Sequence, residues 1–161
     1  MTGVLWLLGP SGAGKTTIGW RVYRELAGAA YVDVDQLGLC HPAPPDDPDN
    51  HRVKSSALGA LWSGRVHDAF VVSGGPDTRE LARWYADLLP GAGITWCRLR
   101  AHPDELRARV LARGWMPELA DVVGDVAEAF ERDDFADFTV DTGDRTPAAV
   151  VDEVLARWRR C

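Results

Sequence analysis

Length, composition and charge limit the classes of protein that this chain can represent. Its 161 residues, 46% of them hydrophobic, suffice for one domain with one core and are too few for two. The 24 acidic residues outnumber the 18 basic ones, and the resulting formal charge of −6 disfavours general nucleic-acid binding. We therefore predict a single domain over residues 1–161 that binds no nucleic acid.

Cysteine usage and hydropathy bear on the cellular setting. Cys40, Cys97 and Cys161 are far apart and match neither a disulfide framework nor a zinc-binding spacing. The longest apolar run, residues 4–8, is far shorter than the roughly 20 residues that a membrane-spanning helix needs. We expect a cytoplasmic protein without a membrane partner.

Short apolar segments typical of buried strands alternate with segments of helical periodicity along the chain. This alternation predicts an α/β fold in which helices cover both faces of a parallel sheet. Four prolines between residues 41 and 50 predict a surface loop, after which Asn50 would cap the second helix, and Asp77 would cap the third. The predicted strands are 3–8, 29–34, 69–73, 94–99 and 138–140. The predicted helices are about 15–26, 51–62, 78–89, 103–113, 120–132 and 148–159.

The turn between the first strand and the first helix carries the most specific motif. Residues 9–16 read GPSGAGKT and match GxxxxGK[ST], a loop whose backbone N–H groups cradle phosphates. Lys15, one of only two lysines in the chain, would reach the β and γ phosphates, and the Thr16 hydroxyl would bind Mg²⁺. The predicted nucleotide contacts here are Gly9, Ser11, Gly12, Ala13, Gly14, Lys15, Thr16 and Thr17.

Two features separate this chain from other nucleotide-binding proteins with the same loop. The second lysine, Lys54, is followed by two serines, so the Asn-Lys-x-Asp motif of switch GTPases is absent. The third predicted strand ends without the carboxylate that motor ATPases carry there. Asp33 and Asp35, at the end of the second predicted strand, are the alternative source of carboxylates. Two residues apart in a strand, they would share a face and point toward the phosphates.

These motifs, in this order, resemble the small-molecule P-loop kinases, which include shikimate kinase, gluconate kinase, adenylylsulfate kinase and chloramphenicol phosphotransferase. The resemblance covers nearly the whole chain. Its further elements are Gly74-Gly75 after the third strand, the arginines of the fourth helix, and residues 140–147 before the last helix. It implies a P-loop three-layer sandwich with a five-stranded parallel sheet in the order 2-3-1-4-5, and a short lid at about residues 109–124.

The resemblance also implies roles for individual residues. Asp35 would be the base that accepts a proton from the acceptor hydroxyl, and Asp33 would join Thr16 at Mg²⁺. Arg109 and Arg113, one helical turn apart, would face the transferring phosphoryl group. Arg145 and Pro147 would contact the nucleotide on its adenine side.

The acceptor side departs from the named families. The helix that carries a Phe-Arg pair in shikimate kinase reads His-Arg-Val-Lys-Ser-Ser from His51, and Gln-Leu follows Asp35 where adenylylsulfate kinase has Asn and Arg. The acceptor is therefore predicted only by class, as a small molecule with a hydroxyl group. Its predicted contacts are Asp35, Arg52, Lys54, Gly74 and Gly75.

We predict from these features an ATP- and Mg²⁺-dependent phosphotransferase that acts on a hydroxyl of a small polar metabolite, nucleoside or antibiotic. The alternative is a regulatory or accessory domain that binds ATP without a small-molecule acceptor. A third class, a polynucleotide-end kinase, conflicts with the negative net charge. The sequence predicts neither the identity of the acceptor nor the oligomeric state.

Overall fold

Five strands form one parallel sheet in the computed structural model, which describes residues 3–161. They are β1 (Gly3–Leu8), β2 (Ala29–Asp33), β3 (Ala69–Ser73), β4 (Gly93–Arg100) and β5 (Phe138–Asp141). Their order in the sheet, β2-β3-β1-β4-β5, confirms the predicted topology. Within residues 3–161, no helix has the length and apolar character needed to cross a membrane.

Six α-helices connect and flank the strands, and most of their bounds lie within two residues of the prediction. They are α1 (Lys15–Arg24), α2 (His51–Ser63), α3 (Arg79–Asp87), α4 (Pro103–Arg113), α5 (Leu119–Arg132) and α6 (Pro147–Trp158). A 3₁₀ turn, Val34–Gln36, follows β2.

Two helix starts differ from the prediction in the side chain that caps them. Thr78, and not Asp77, caps α3 by accepting a hydrogen bond from Leu81 N at 3.2 Å. Asn50 precedes α2 as predicted, but its side-chain oxygen accepts from Cys40 N at 2.8 Å. Asp47 instead accepts from His51 N at 2.8 Å and Arg52 N at 3.0 Å. The prediction for α2 assumed that the adjacent residue caps the helix, whereas the loop folds back and brings the earlier carboxylate of Asp47 to the helix end.

The central strand β1 is buried on both faces, which explains its uninterrupted apolar sequence. Leu5 and Leu7 belong to a cluster that includes Val22 of α1 and the apolar face of α6. Val4, Trp6 and Leu8 face the opposite cluster, which includes side chains of α2 and α3. Helices therefore cover both faces of the sheet, which gives the three layers predicted.

The carboxyl ends of β1, β2 and β3 lie side by side, because neighbouring strands are parallel and in register. Asp33, the last residue of β2, is paired with Ser73, the last residue of β3, and Ser73 is paired with Leu7 of β1. Parallel sheets of this kind place ligand sites beyond these ends. The turns that follow the three strands form one edge of the molecule.

Candidate active site

The GxxxxGK[ST] segment forms a tight loop between β1 and α1 that no larger residue could reproduce at two of its glycines. Gly9 has φ +136°, and a Cβ there would overlap the backbone oxygen of Leu99. Gly12 has φ +83°, and a Cβ there would lie 2.6 Å from the backbone oxygen of Leu106. The loop is therefore held between the end of β4 and the helix α4, with its amides available to an anion at the start of α1.

The Lys15 side chain folds back onto the backbone of the phosphate loop. Its ammonium group donates hydrogen bonds to the carbonyl oxygens of Gly9 at 2.7 Å and Pro10 at 3.0 Å. Burial lowers the pKa of Lys15 below its usual value, while the carboxylates of Asp35 and Asp33 act in the opposite direction. Bound phosphates would add negative charge at this point and favour the ammonium form.

Asp33 faces the phosphate loop. The Thr16 hydroxyl donates to its Oδ2 at 3.0 Å, so the two oxygen groups lie where one cation can reach both. Carboxylate and hydroxyl oxygens are hard ligands that suit Mg²⁺, which usually takes one or two protein ligands and completes its shell with phosphates and water. Thr16 and Asp33 therefore fit the magnesium role predicted for them.

Asp35 faces another way, and the expectation that the two carboxylates share a strand face is wrong. β2 ends at Asp33, and Asp35 lies in the following 3₁₀ turn, whose first residues Asp33 caps by accepting from Asp35 N at 3.1 Å. The Asp35 carboxylate instead accepts a hydrogen bond from Gly75 N at 3.3 Å. The turn thus directs one carboxylate to the phosphate loop and the other to the loop after β3.

Gly74 and Gly75 bring backbone up to Asp35. Both have positive φ, +80° and +87°, and a Cβ on Gly74 would overlap the Asp35 carboxylate. The indole N–H of Trp6 donates to the Gly74 oxygen at 2.8 Å, so the buried strand β1 fixes this loop from below. The glycine pair was predicted beside the acceptor, and the structure places it against the predicted base.

We expect Gly74→Ala to reduce the phosphotransfer predicted from the sequence far more than it reduces stability. The substitution adds left-handed strain, typically about 1–2 kcal/mol, and pushes the Asp35 carboxylate from its place. Gly28→Ala is the matched control, because Gly28 has a similar φ of +75° and open space around its Cβ position. Thermal unfolding should show similar losses for both variants, and acceptor-dependent ADP release should fall only for Gly74→Ala. Equal activities would contradict the assigned contact.

The two cations predicted on α2 lie in different surroundings. The Lys54 side chain is buried, and its ammonium group lies 3.9 Å from Asp35 Oδ1, with no hydrogen-bond partner among residues 3–161. Arg52 is half exposed and pairs with Asp46 at 2.7 Å and Asp47 at 3.4 Å, both in the preceding loop. The structure thus brings Lys54 to Asp35, whereas the contacts of Arg52 do not support an acceptor role.

The two arginines predicted at the transferring phosphoryl group also differ. Arg109 donates to the Gly12 oxygen at 3.3 Å and to the Thr142 oxygen at 2.8 Å, and it forms an ion pair with Glu105. It therefore braces the phosphate loop against the turn after β5. Arg113 is exposed, makes no hydrogen bond within the described part of the chain, and is close enough for its charge to lower the pKa of Lys15. Of the two, Arg113 is the one whose guanidinium is available to a phosphate.

The remaining predicted residues lie in the lid and on the adenine side. The predicted lid, residues 109–124, spans the end of α4, a turn at 114–118 and the start of α5. Arg107 ties the two helices by donating to the Ala120 oxygen at 3.0 Å. Arg145 donates to the Asp141 oxygen at 3.0 Å and pairs with Glu153, closing the turn after β5, and Pro147 begins α6.

Several residues near the site were not predicted from the sequence. Tyr85 of α3 is fully buried, and its hydroxyl lies 3.1 Å from His51 Nδ1. Burial, with the charge of Asp35 in second place, raises the pKa of Tyr85, so this hydroxyl stays neutral. Tyr31 and Ser73 form a second pair, 2.8 Å apart, beside Asp33. Their side chains meet only through tertiary packing, and no local spacing signals either pair.

A cleft of about 120 Å³ lies between the phosphate loop and Asp35. Lys15 and the phosphate loop lie on one side, Asp35 and the glycine pair lie on another, and Val126 and Phe130 of α5 complete the wall. The apolar residues come from the helix that follows the lid turn. The cleft therefore connects a phosphate-binding loop to a carboxylate, with room for a small molecule between them.

Comparison of structures identifies proteins that are similar to this chain, whereas comparison of sequences does not. No protein-family model matches the chain, and no curated protein matches it significantly. Many solved structures match, and they include three that are similar over almost the whole of both chains. A gluconokinase from Sinorhizobium meliloti 1021 is 22% identical, with a TM-score of 0.73 and coverage of 99% of this chain and 93% of its own.

The second structure, shikimate kinase from Acinetobacter baumannii in complex with shikimate, is 18% identical, with a TM-score of 0.71 and coverage of 99% and 94%. The third, the tunicamycin resistance protein of Deinococcus radiodurans, is 18% identical, with a TM-score of 0.74 and coverage of 98% and 96%. At these identities the likeness shows the fold. It confirms that the chain has the fold of shikimate kinase and gluconokinase.

Proposed function

We propose that this chain is an ATP- and Mg²⁺-dependent kinase that transfers the γ-phosphoryl group to a hydroxyl of a small molecule. One observation carries the proposal: Asp33 pairs with Thr16 at the phosphate loop, while Asp35 lies with the glycine pair on the other side of the cleft that Lys15 lines. A domain that only binds ATP needs the first carboxylate and has no use for the second. The fold shared with gluconokinase and shikimate kinase supports the same class of reaction.

The proposed reaction assigns each group a place. The loop amides and Lys15 hold the β and γ phosphates, and Thr16 and Asp33 would hold Mg²⁺, which would neutralise phosphate charge. Asp35 accepts the proton of the acceptor hydroxyl. At the same time the hydroxyl oxygen bonds to the γ phosphorus, and the bond between that phosphorus and the oxygen of the departing ADP breaks. Arg113 stabilises charge on the transferring group. ADP and the phosphorylated acceptor then leave.

The position of Lys54 indicates which chemical group the acceptor carries besides its hydroxyl. The Lys54 side chain is mostly buried, and its ammonium group makes no hydrogen bond within residues 3–161. Asp35 lies 3.9 Å away, beyond hydrogen-bond distance, so the three N–H donors of the group stay available to a ligand. We propose that the acceptor carries a carboxylate or another anionic group besides its hydroxyl.

The test is a panel of hydroxyl compounds, with and without a carboxylate, assayed for ADP release and for the phosphorylated product. An acceptor-dependent rate that requires Mg²⁺ and is lost in Asp35→Asn supports the kinase. Tight ATP binding without turnover across the panel would favour the ATP-binding regulatory domain. Nucleic-acid ends belong in the panel at two salt concentrations, because phosphate contacts make affinity fall steeply with ionic strength.

We expect Lys54→Met to raise the KM of an anionic acceptor at least tenfold while the KM for ATP changes little. Methionine matches the volume of the lysine stem and removes the charge beside Asp35. Arg52→Met is the matched control, because it removes a cation from the same helix whose partners are the loop carboxylates Asp46 and Asp47. Steady-state kinetics of both variants give the KM values for the acceptor and for ATP. If only Arg52→Met raises the acceptor KM, Lys54 is not the acceptor's partner.

A further inference from the structure

Tyr31 reaches from the edge strand to the buried end of its neighbour. Its hydroxyl lies 2.8 Å from Ser73 Oγ, and Ser73 is only 1% exposed. Ser73 pairs in register with Asp33, and Tyr31 lies two residues before Asp33 in the same strand. Because side chains two residues apart share a face, the tyrosine and the metal-side carboxylate project toward α1 together.

Helix α1 has a glycine, Gly19, where it packs against the Tyr31 ring. A Cβ on Gly19 of α1 would lie 2.8 Å from Tyr31 Cε2 and 3.7 Å from Ser73 Cβ. Glycine inside a helix costs about 0.5–1 kcal/mol relative to alanine, so this position is held at a cost to the helix. An aromatic ring needed only for packing could take many other positions, whereas this one delivers a hydroxyl to a buried serine.

Both residues of this pair adjoin the proposed magnesium site. Asp33, which is paired in register with Ser73 and follows Tyr31 by two residues, accepts the hydrogen bond of the Thr16 hydroxyl at 3.0 Å. Ser73 occupies the strand end at which a carboxylate is missing.

We propose that Tyr31 is a positioning residue that orients the Ser73 hydroxyl, so that Ser73, Thr16 and Asp33 together complete the surroundings of Mg²⁺. This inference rests on the proposed function. A serine hydroxyl that is free to rotate presents either its proton or its lone pairs, and the bond to Tyr31 restricts that rotation. In the proposed arrangement Ser73 donates to Tyr31 and keeps its lone pairs for the waters that Mg²⁺ retains.

Isothermal titration of the full chain with ADP, once in EDTA and once in MgCl₂, tests the inference without measuring activity. The ratio of the two affinities gives the coupling between Mg²⁺ and nucleotide. We expect Tyr31→Phe to reduce this ratio about tenfold and to leave the affinity in EDTA unchanged, in line with the 10–100-fold effects of outer-shell partners on metal binding. A role in packing alone would lower the unfolding temperature and leave the ratio as it is.

Tyr23→Phe is the matched control. Tyr23 packs 6.3 Å from Tyr31 in the same aromatic cluster, and its hydroxyl has no hydrogen bond among the residues that the structure describes. Its coupling ratio should equal that of the unmodified protein. Ser73→Ala should reproduce the effect of Tyr31→Phe, and the double variant should add nothing, since the two groups act as one unit.

The outcomes separate the inference from the proposed function. ADP that fails to bind the unmodified protein would overturn the proposed function. Normal Mg²⁺-coupled binding that is unchanged in Tyr31→Phe would overturn the role of Tyr31 alone. Additive effects of Tyr31→Phe and Ser73→Ala would also contradict it, because they would show that the tyrosine does not act through the serine.

Discussion

Asp35→Asn is expected to lower kcat for the true acceptor by about 10²–10⁴-fold, the usual contribution of a general base. The amide oxygen can still accept the hydrogen bond from Gly75 N, so the loop geometry survives while the proton acceptor is lost. The affinity for ADP in the presence of Mg²⁺ should stay within about twofold. Steady-state kinetics and a nucleotide titration on the same preparation measure both quantities.

Asp33→Asn is the control for this prediction, because it changes a carboxylate two residues away that faces Thr16. Its main effect should be a higher Mg²⁺ concentration for half-maximal rate, with a smaller loss at saturating metal. The opposite pattern, in which Asp35→Asn alters the Mg²⁺ requirement and Asp33→Asn abolishes transfer, would exchange the two assignments. Full activity in Asp35→Asn would remove the base from the mechanism.

Lys15→Ala is expected to have the second-largest effect, a loss of about 10²–10³-fold in kcat/KM for ATP, comparable to removing one preorganised donor to a transition-state charge. The substitution removes the ammonium group and the two hydrogen bonds that it donates to the carbonyls of Gly9 and Pro10. Initial rates over a range of ATP concentrations give the loss. Circular dichroism should show an unchanged fold.

Two further variants sharpen the interpretation of Lys15. Lys15→Arg should not restore activity, because a planar guanidinium cannot occupy the space of a compact ammonium inside the loop. Arg21→Ala removes an exposed cation from the same helix and should leave ATP kinetics within about twofold. A loss in Arg21→Ala equal to that in Lys15→Ala would show that the net charge of the helix, and not the position of the ammonium, governs ATP binding.

Local patterns were enough to predict the strands, the helices and the phosphate loop. The five strands were predicted nearly to the residue because buried parallel strands require continuous apolar runs, and their turns require glycine or proline. The phosphate loop was predicted because its function depends on backbone conformation, which its glycines encode within eight residues. The strand order came from the family resemblance, and the structure confirms it.

Side chains that act across the fold were harder to predict. Arg52 and Lys54 are two residues apart on one helix, yet one pairs with the preceding loop and the other is buried beside Asp35. Arg109 fits the expected spacing and is engaged by Gly12 and Thr142, whereas Arg113 is not. Long cationic side chains follow the carboxylates and carbonyls that tertiary packing brings near them, and sequence spacing does not specify those partners.

The sequence by itself determined the phosphate-loop motif and the pair of carboxylates, since both are short contiguous motifs. Only the tertiary structure decided which way each carboxylate faces. A 3₁₀ turn separates Asp35 from the strand that ends at Asp33. The loop after β1 then brings Thr16 to Asp33, and the loop after β3 brings the glycine pair to Asp35. The tertiary structure also decided the place of the second lysine: Lys15 is fixed by its motif, whereas Lys54 lies 3.9 Å from Asp35 because α2 packs against the 3₁₀ turn after β2.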